Sequence, residues 1–285
     1  VTSVYNGAKY LPAAIDSILS QDGVELELIL INDGSAEETT TLLRDYAARD
    51  GRIRLIEQEN TGLTRALIRG CAAATGAYLA RQDADDRSLP GRLRRQRDFL
   101  ASHPDVRLVS CATEFIGPED ELLDVATRTD APAEATAALR VGDGNAMRGV
   151  NGHGSVMFRR ADYERVGGYR AEFRYAQDLD LWSRLTDDGW LAFLPDVLYQ
   201  ARFTEDCISA HQSERQRALK AVIAEAMQAR ARGADEAPLL KAAAQICTAP
   251  AAGKPRSSGS GAYFIGRMLQ ARQDRRALKY LRRAA

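Results

Sequence analysis

The chain has 285 residues, with 45% hydrophobic and 27% charged side chains, which is typical of a soluble globular protein that buries a sizeable core. Its 39 basic and 39 acidic residues cancel to a formal net charge of zero, so nucleic acid is not expected as a partner. No apolar run approaches the roughly 18–20 residues of a membrane span, and no secretory signal is expected.

The cysteine and histidine content favours a reducing compartment. The 4 cysteines lie far apart without a C-x-x-C pair, and only 3 histidines are present, so a Cys/His zinc site is not expected. We interpret the cysteines as small buried hydrophobic side chains and the protein as a cytoplasmic enzyme. These cysteines are Cys71, Cys111, Cys207 and Cys247.

The first hundred residues alternate between short apolar strands and amphipathic helices. LELILIND is a continuous apolar run, as expected of a central parallel strand covered on both faces. The alternation predicts an open parallel sheet with right-handed crossovers. Because VTSV begins inside a strand, we expect a few native residues before Val1. The predicted strands are VTSV, LELILIND, RIRLIEQ and AYLARQ.

Polar loops follow each of these strands. Ligands bind at the carboxyl ends of the strands in such sheets, and the loops SVYNG, NDGS, EQENTG and DADD all lie at that edge. The next segment, SLPGRLRRQRDFLASH, predicts a helix with Ser88 as its cap and Pro90 in its first turn. The loop edge is therefore where we expect the functional site.

The remaining chain divides into two regions by its pattern. VRLVSCATEFIG and GSVMFRR are predicted strands, AQDLDLWSRLTDDG is a predicted helix, and residues 117–150 read as extended pieces with a short Ala-rich helix. We predict an α/β domain over residues 1–205 and a helical region over residues 206–285. A flexible Gly/Ser-rich segment at about residues 249–261 precedes a final helical pair.

The DADD turn crowds three carboxylates, Asp83, Asp85 and Asp86, at the tip of a strand. One reading is that they are turn and helix-capping residues favoured by local geometry. The other is a divalent cation site, because Mg²⁺ and Mn²⁺ bind one or two carboxylates and complete their coordination with substrate phosphates. The position at the end of an apolar strand favours the second reading.

Seven segments of the chain resemble, in order and spacing, the inverting glycosyltransferases of family 2. The resemblance covers about residues 1–205, and it is specific because all seven agree in sequence order. It implies the GT-A fold, in which an open mixed and parallel nucleotide-binding sheet is flanked by helices, here with a C-terminal helical appendage. The segments are SVYNGAKYLPAAIDSILSQ, LILINDGSAEET, NTGLTRAL, YLARQDADD, LPGRLRRQ, HGSVMFRR and AQDLDLWSRL.

The resemblance assigns donor-binding roles at the sheet edge. Asp33 corresponds to the acidic residue that accepts a hydrogen bond from the nucleotide base, and the backbone around Ser3 and Tyr5 is expected to contact the same base. Asp83 matches the first Asp of the D-x-D motif, which is directed at the ribose and nucleotide. Asp85 matches its last Asp, which binds the Mn²⁺ or Mg²⁺ that bridges the diphosphate.

Asp178 is the expected catalytic base. An acceptor hydroxyl is a poor nucleophile unless its proton is removed during attack, and a well-placed carboxylate contributes on the order of 10²–10⁴-fold. In AQDLDLWSRL, Gln177-Asp178 occupies the place of Glu-Asp in the family, and Asp178 matches its base. The alternative is a helix N-terminal carboxylate favoured by the helix dipole. Asp180 is expected to have a structural and not a catalytic role.

Five further polar residues are candidates for supporting roles, and two of them have an alternative interpretation. Arg65 is expected to approach the donor phosphate or sugar, or else to be a solvated helix residue. His153 is placed on the acceptor side, or is a hydrogen-bonded structural histidine. Arg81 is a candidate partner of the metal carboxylates. Arg202 and His211 lie where some relatives close over the diphosphate.

The segment GRMLQARQDRRALKYLRRAA carries seven basic residues and one acidic residue. A solvated helix face is one reading. The other is peripheral contact with anionic lipid at the inner face of the membrane, which would suit a lipid-linked acceptor.

The sequence thus predicts a metal-dependent inverting glycosyltransferase. It would move a sugar from a nucleotide-diphosphate sugar, with a UDP-sugar as first choice, to a hydroxyl of a saccharide or lipid-linked acceptor in polysaccharide or glycolipid synthesis. A sugar-nucleotide nucleotidyltransferase and a catalytically degenerate donor-binding module are the alternatives.

Overall fold

The amino-terminal part of the chain forms a parallel sheet in the order β1-β2-β3. A computed structural model describes residues 1–205, 213–249 and 259–284. The register pairs Thr2 with Leu30 and Leu30 with Leu55. Every residue of β2 is buried, as predicted for a central strand. The strands are β1 (Thr2–Val4), β2 (Leu28–Asp33) and β3 (Ile53–Gln58).

Helices cover both faces of this sheet because successive side chains of β2 point to opposite sides. Leu28 and Leu30 belong to a core cluster with residues of the first two helices, whereas Ile29 and Ile31 pack with Ala66 of the third. The helices are α1 (Leu11–Leu19), α2 (Glu37–Arg49) and α3 (Leu63–Ala73).

A mixed sheet continues the parallel one, in the order β4-β8-β6-β9-β5, with β7 paired to β6. Val1 joins the two sheets, because its amino group donates to the Ala80 carbonyl at 2.8 Å and its carbonyl accepts from Gln82 N at 3.2 Å. The strands are β4 (Tyr78–Ala80), β5 (Arg87–Ser88), β6 (Val106–Ile116), β7 (Leu122–Ala126), β8 (Met157–Arg159) and β9 (Trp190–Arg202).

The strand β4 borders both sheets. The two hydrogen bonds of Val1 follow the pattern of a parallel pair, so β4 runs parallel to β1, and its other edge pairs antiparallel with β8, where the purely parallel arrangement ends. One local expectation was wrong. Ser88 does not cap a helix, because it lies in β5 opposite Tyr199, and its hydroxyl group donates to Gln82 Oε1 at 2.8 Å. Helix α4 (Arg92–Ser102) begins after Gly91, whose φ of 77° is readily accessible to glycine.

The next helices close the core over the mixed sheet. Trp182, Leu181 and Leu185 are buried in one cluster with Phe158, and buried residues of the C-terminal helices, such as Ile223, belong to the same cluster. The helical region from residue 213 to 249 therefore shares its core with the α/β part. The helices are α5 (Pro132–Leu139), α6 (Arg160–Arg165), α7 (Gln177–Leu185), α8 (Ser213–Ala231) and α9 (Ala237–Thr248).

The final helical pair is present as α10 (Gly259–Ala271) and α11 (Ala277–Ala284). Residues 259–261 of the predicted flexible segment belong to α10, and residues 250–258 lie outside the described residues, as do Cys207 and His211. The domain boundary at residue 205 stays a prediction. Within the described ranges, no helix combines the length and the apolarity that crossing a membrane requires.

Candidate active site

Asp33 ends the central strand β2 and organises the loop after β3. Its buried carboxylate accepts hydrogen bonds from Gln58 Nε2 at 2.7 Å, Thr61 N at 2.9 Å and Gly62 N at 2.9 Å. Both carboxylate oxygens are engaged, so in this structure Asp33 shapes the NTG loop. Its assigned contact with a nucleotide base stays a prediction.

The other donor-side residues surround this loop. Ser3 is half-buried on β1 and pairs with Ile31, whereas Tyr5 is 58% exposed in the loop that follows. Arg65 is exposed in the first turn of α3. An unforeseen cation lies nearby: the Arg174 guanidinium approaches Gly62, where a β-carbon would be 3.6 Å from its Nε. Its position in the sequence carried no signal, because the contact spans more than one hundred residues.

The DADD turn separates its three carboxylates into different environments. Asp83 accepts from Arg81 Nη2 at 2.5 Å, and Arg81 is only 2% exposed. Asp86 is buried and accepts from the Tyr199 hydroxyl and from Arg202 N, each at 2.7 Å. Burial, together with the charges of the neighbouring aspartates, raises the pKa of Asp86 well above its ordinary value. Asp86 therefore ties the turn to β9, and Arg81 partners Asp83.

The Asp85 carboxylate has a different environment from those of Asp83 and Asp86. Its half-buried carboxylate makes no hydrogen bond to another residue within the described ranges. Burial, and then the charge of Asp83, raise the pKa of Asp85 to about 6. A carboxylate in that situation is stabilised by a cation. This environment fits a divalent metal, although no group of three or more His, Cys, Asp and Glu side chains is arranged to hold one in the described ranges.

Such a shortage of protein ligands suits Mg²⁺ or Mn²⁺, which bind through one or two carboxylates when substrate phosphates complete the coordination. Asp85 is the residue that would hold the ion. Arg202 supports the same turn, since its Nε donates to the Asp85 carbonyl at 3.1 Å and its Nη1 donates to the Gly117 carbonyl at 2.7 Å.

Asp178 lies at the start of α7, just after Ala176, which has a φ of 56°. Its Oδ1 accepts from Leu179 N at 2.9 Å. Burial raises the pKa of Asp178, the charge of Asp83 raises it further, and Lys220 of α8 lowers it. The turn His153–Ser155 links α7 to the DADD turn: a β-carbon on Gly154 would lie 3.0 Å from Asp83 Oδ2, and the His153 ring lies 6.1 Å from that of Trp182, one turn along α7 from Asp178.

Asp180 has a different role from Asp178. It is fully buried and accepts from Arg184 Nη2 at 2.5 Å, and Arg170 lies 3.6 Å away. This is the structural role that the sequence suggested. Lys220, in contrast, was missed, because nothing in the sequence of a C-terminal helix indicates which strand edge it faces.

His153 lies in a short 3-10 turn (His153–Ser155) whose Gly154 lies against Tyr199 and Asp83. Its Nε2 is 2.7 Å from the Tyr169 hydroxyl, and its ring meets that of Trp182 edge-on at 6.1 Å. Burial and the charge of Arg81 hold the pKa of His153 well below its ordinary value, so the imidazole is neutral at pH 7. It is hydrogen-bonded in this structure, and its acceptor-side role stays a prediction.

A cavity of about 740 Å³ lies elsewhere, at the amino ends of β2 and β4. Apolar residues such as Val1, Leu28 and Leu79 line it. It contains none of the DADD carboxylates or Asp178. We therefore place the chemistry at the carboxyl edge, where the titratable groups converge, and not in this cavity.

A parallel sheet that continues into a mixed sheet, with acidic loops at the carboxyl edge, is the architecture of a GT-A glycosyltransferase. Comparison with protein families agrees: the model of "Glycosyl transferase family 2" matches residues 1–165. The chain therefore belongs to glycosyl transferase family 2, and the resemblance seen in the sequence is confirmed.

Individual relatives support the same membership. The chain is 32% identical over 215 residues to the candidate glycosyltransferase EpsE of Bacillus subtilis, covering 72% of this chain and 73% of EpsE. It is 28% identical over 206 residues to an uncharacterized glycosyltransferase of Haemophilus influenzae, covering 71% and 64%. It is 28% identical over 216 residues to TuaG of Bacillus subtilis, a candidate teichuronic acid biosynthesis glycosyltransferase, covering 74% and 81%.

Solved structures show the fold. The mannosyltransferase PcManGT from Pyrobaculum calidifontis, in complex with GDP-Man and Mn²⁺, aligns with a TM-score of 0.58 at 22% identity, covering 99% of this chain and 77% of that one. TarS 1-349 of S. aureus in complex with UDP aligns with a TM-score of 0.55 at 15% identity, covering 95% and 79%. The expected GT-A fold is thus confirmed.

Proposed function

We propose that this glycosyltransferase is an inverting enzyme that moves a sugar from a nucleotide-diphosphate sugar to an acceptor hydroxyl. The observation that carries the proposal is that α7, which begins with Asp178, and the DADD turn both lie against the short turn His153–Ser155. The Asp85 carboxylate in that DADD turn accepts no hydrogen bond from another residue of the described ranges. One carboxylate near the acceptor and one near the donor phosphates are what a single in-line displacement needs.

The donor is proposed to be a UDP-sugar, with Ser3, Tyr5, Asp33, Arg65 and Asp83 around its nucleotide. The TarS structure in complex with UDP supports this class of donor, and PcManGT in complex with GDP-Man supports nucleotide-diphosphate sugars generally. Arg174 adds a cation beside Gly62, where an anionic diphosphate would be favoured.

Asp85 is proposed to hold Mn²⁺ or Mg²⁺ against the donor diphosphate. When bound there, the ion would act as a Lewis acid that stabilises the negative charge of the leaving group. The Mn²⁺ in the PcManGT complex supports a divalent metal. Arg81 and Arg202, which support Asp83 and the turn, would keep the carboxylates oriented.

Asp178 is proposed to remove the proton from the acceptor hydroxyl as its oxygen attacks the anomeric carbon. The bond from that carbon to the phosphate oxygen breaks on the opposite side, and the electron pair leaves with the nucleoside diphosphate. Attack and departure on opposite faces invert the configuration. The raised pKa of Asp178 suits it to accept a proton near neutral pH.

The acceptor is proposed to be a saccharide or lipid-linked sugar in polysaccharide or glycolipid synthesis. The similarity to TuaG, a candidate teichuronic acid biosynthesis glycosyltransferase, supports a polysaccharide product. The catalytic domain is proposed to be residues 1–205, and the enzyme to act in the cytoplasm at the inner face of the membrane. Membership of family 2 disfavours the nucleotidyltransferase alternative, and retention of Asp85 and Asp178 disfavours a degenerate module.

A donor screen tests the proposal. UDP-, GDP- and dTDP-sugars are added with and without Mn²⁺, and the melting temperature is measured, followed by transfer or donor hydrolysis for the sugars that bind. We expect a UDP-sugar to raise the melting temperature only with the metal present. Stabilisation by no donor under either condition would contradict the donor-binding site.

A further inference from the structure

The helices α10 and α11 form an antiparallel pair, since Gly266 contacts Leu281 and Gly259 contacts the Ala284 backbone. Their inner faces are buried in one small core cluster, which also holds Leu123 of β7. Because both inner faces point to the same cluster, the opposite faces both point away from the domain. The inner residues of the two helices are Ala262, Ile265, Leu269, Ala277 and Tyr280.

The outer faces of the pair expose large apolar side chains. Tyr263 is 55% exposed and Leu278 61%, whereas Phe264 packs its ring against Phe203 of the domain, with 4.7 Å between the ring centroids. Tyr263 and Leu278 are two of the six large hydrophobic side chains that are exposed in the described ranges, although the pair is a small part of the chain. We call the outward side of α10 and α11, including the residues of their connecting turn, the outer surface.

Arginines surround these apolar side chains. Arg267 lies one helical turn from Tyr263 in α10, and Arg282 lies one helical turn from Leu278 in α11. Arg275 lies in the connecting turn, three residues before Leu278. Together with Arg272 of the connecting turn, these exposed arginines form no ion pair with any residue in ranges 1–205, 213–249 and 259–284. The outer surface thus carries four arginines that have no ion pair within the part of the chain that the structure describes.

The remaining basic residues of the pair have protein partners. Lys279 is ion-paired with Glu119, Arg283 with Glu205 at 3.1 Å, and Arg276 with Asp274 at 2.6 Å. The first two ion pairs hold the helices on the domain, and the third lies within the connecting turn. The unpaired arginines of the outer surface are thus distinct from the residues that anchor the helices.

We infer that the outer surface docks on an anionic lipid membrane, with both helices lying along the interface. Unpaired arginines would contact lipid phosphates, while Tyr263 and Leu278 would enter the boundary of the acyl chains. A soluble polyanion would use the arginines alone and leave the apolar side chains in water. The combination therefore favours lipid, and it deepens the membrane contact proposed above by naming the surface.

Vesicle sedimentation of the full chain tests this inference. Phosphatidylcholine vesicles are compared with vesicles that contain roughly one-third phosphatidylglycerol. We expect binding to the anionic vesicles, falling as salt rises from about 0.1 M to about 0.5 M, because the Debye length shortens. Equal binding to both vesicle types, or binding to neither, would overturn the inference.

Paired variants separate charge from apolar contact. Arg275→Gln/Arg282→Gln should weaken binding by about tenfold or more, since each arginine near an anionic membrane surface contributes to the binding free energy. Tyr263→Ser/Leu278→Ser should weaken it by about tenfold through lost apolar burial. The control, Arg49→Gln/Arg232→Gln, removes two exposed arginines elsewhere and should bind like the parent. All variants should keep the parent's melting temperature, since the changed side chains are exposed.

Two results would contradict the lipid assignment. If the arginine variant loses binding and the apolar variant does not, the surface recognises polyanions in general and not a membrane. If the control loses as much as the arginine variant, the effect is one of total charge. Transfer to a soluble acceptor is measured in parallel, so a failure of docking with intact transfer leaves the glycosyltransferase function standing.

Discussion

Gly154 lies so close to Tyr199 that a β-carbon at position 154 would overlap the tyrosine hydroxyl group. That hydroxyl group donates to Asp86 Oδ2 at 2.7 Å and accepts from Asp83 N at 3.2 Å. The absence of a side chain at position 154 therefore lets the turn that carries His153 lie directly against the DADD turn.

The change Gly154→Ala should destabilise the fold by about 1–3 kcal/mol, because the extra carbon forces Tyr199 or the backbone to shift. It should also weaken donor binding, since Asp83 Oδ2 would be 3.0 Å from the new carbon. Urea unfolding and donor titration measure the two effects. The matched control is Gly152→Ala, where a β-carbon would meet no atom within 4 Å. If Gly154→Ala and Gly152→Ala have equal effects, the close contact of position 154 with Tyr199 does not cause them.

Asp178→Asn should lower kcat by about 10²-fold or more and leave donor affinity intact, because the base acts only during attack. Steady-state transfer and donor titration check this. Asp180→Asn gives the contrast, since it leaves the buried Arg184 without its charged partner and should cost about 3 kcal/mol of stability. A near-normal kcat in Asp178→Asn would show that Asp178 is not the catalytic base.

The pH dependence of transfer should follow the raised pKa of Asp178. Below that pKa the carboxyl is protonated and cannot accept the acceptor proton, so kcat/KM should rise with pH through it. The measurement is a kcat/KM profile at saturating Mn²⁺, which keeps Asp85 ionised. His153 should add no limb near pH 6.5, because its imidazole is already neutral. An identical acidic limb in Asp178→Asn would show that another group titrates.

Asp85→Asn should stabilise the metal-free protein at pH 8 by on the order of 2 kcal/mol. The folded pKa of about 6 lies above the unfolded value, so the protonated carboxyl favours the fold at low pH and this contribution is lost as pH rises through 6. Asparagine removes that pH dependence. Urea unfolding with and without Mn²⁺ should also show stabilisation by the metal with donor in the parent and none in the variant.

The control for this prediction is Asp45→Asn, which changes an exposed carboxylate on α2. It should leave both the metal-free stability and the response to Mn²⁺ close to those of the parent. If Asp85→Asn still responds to Mn²⁺ with donor like the parent, the ion is held elsewhere.

The sequence by itself determined the alternation of strands and helices, the buried central strand and the loops at the carboxyl edge. These follow from local periodicity, because apolar spacing reports which side of an element is covered. The candidate residues Asp85 and Asp178 were also identified from sequence, through segments that resemble a family. Family and fold are confirmed, whereas the individual roles of these residues stay predictions.

Only the tertiary structure decided how these segments meet. The antiparallel pairing of β4, the place of Ser88 in β5 and the contact of Tyr199 with Asp86 each join residues far apart in sequence. The charge of Lys220, which lowers the pKa of Asp178, likewise acts from a distant part of the chain. Strand pairing and side-chain contact depend on the arrangement of the whole core, since a hydrogen bond is satisfied by whichever partner the folded chain brings within reach, at any distance along it.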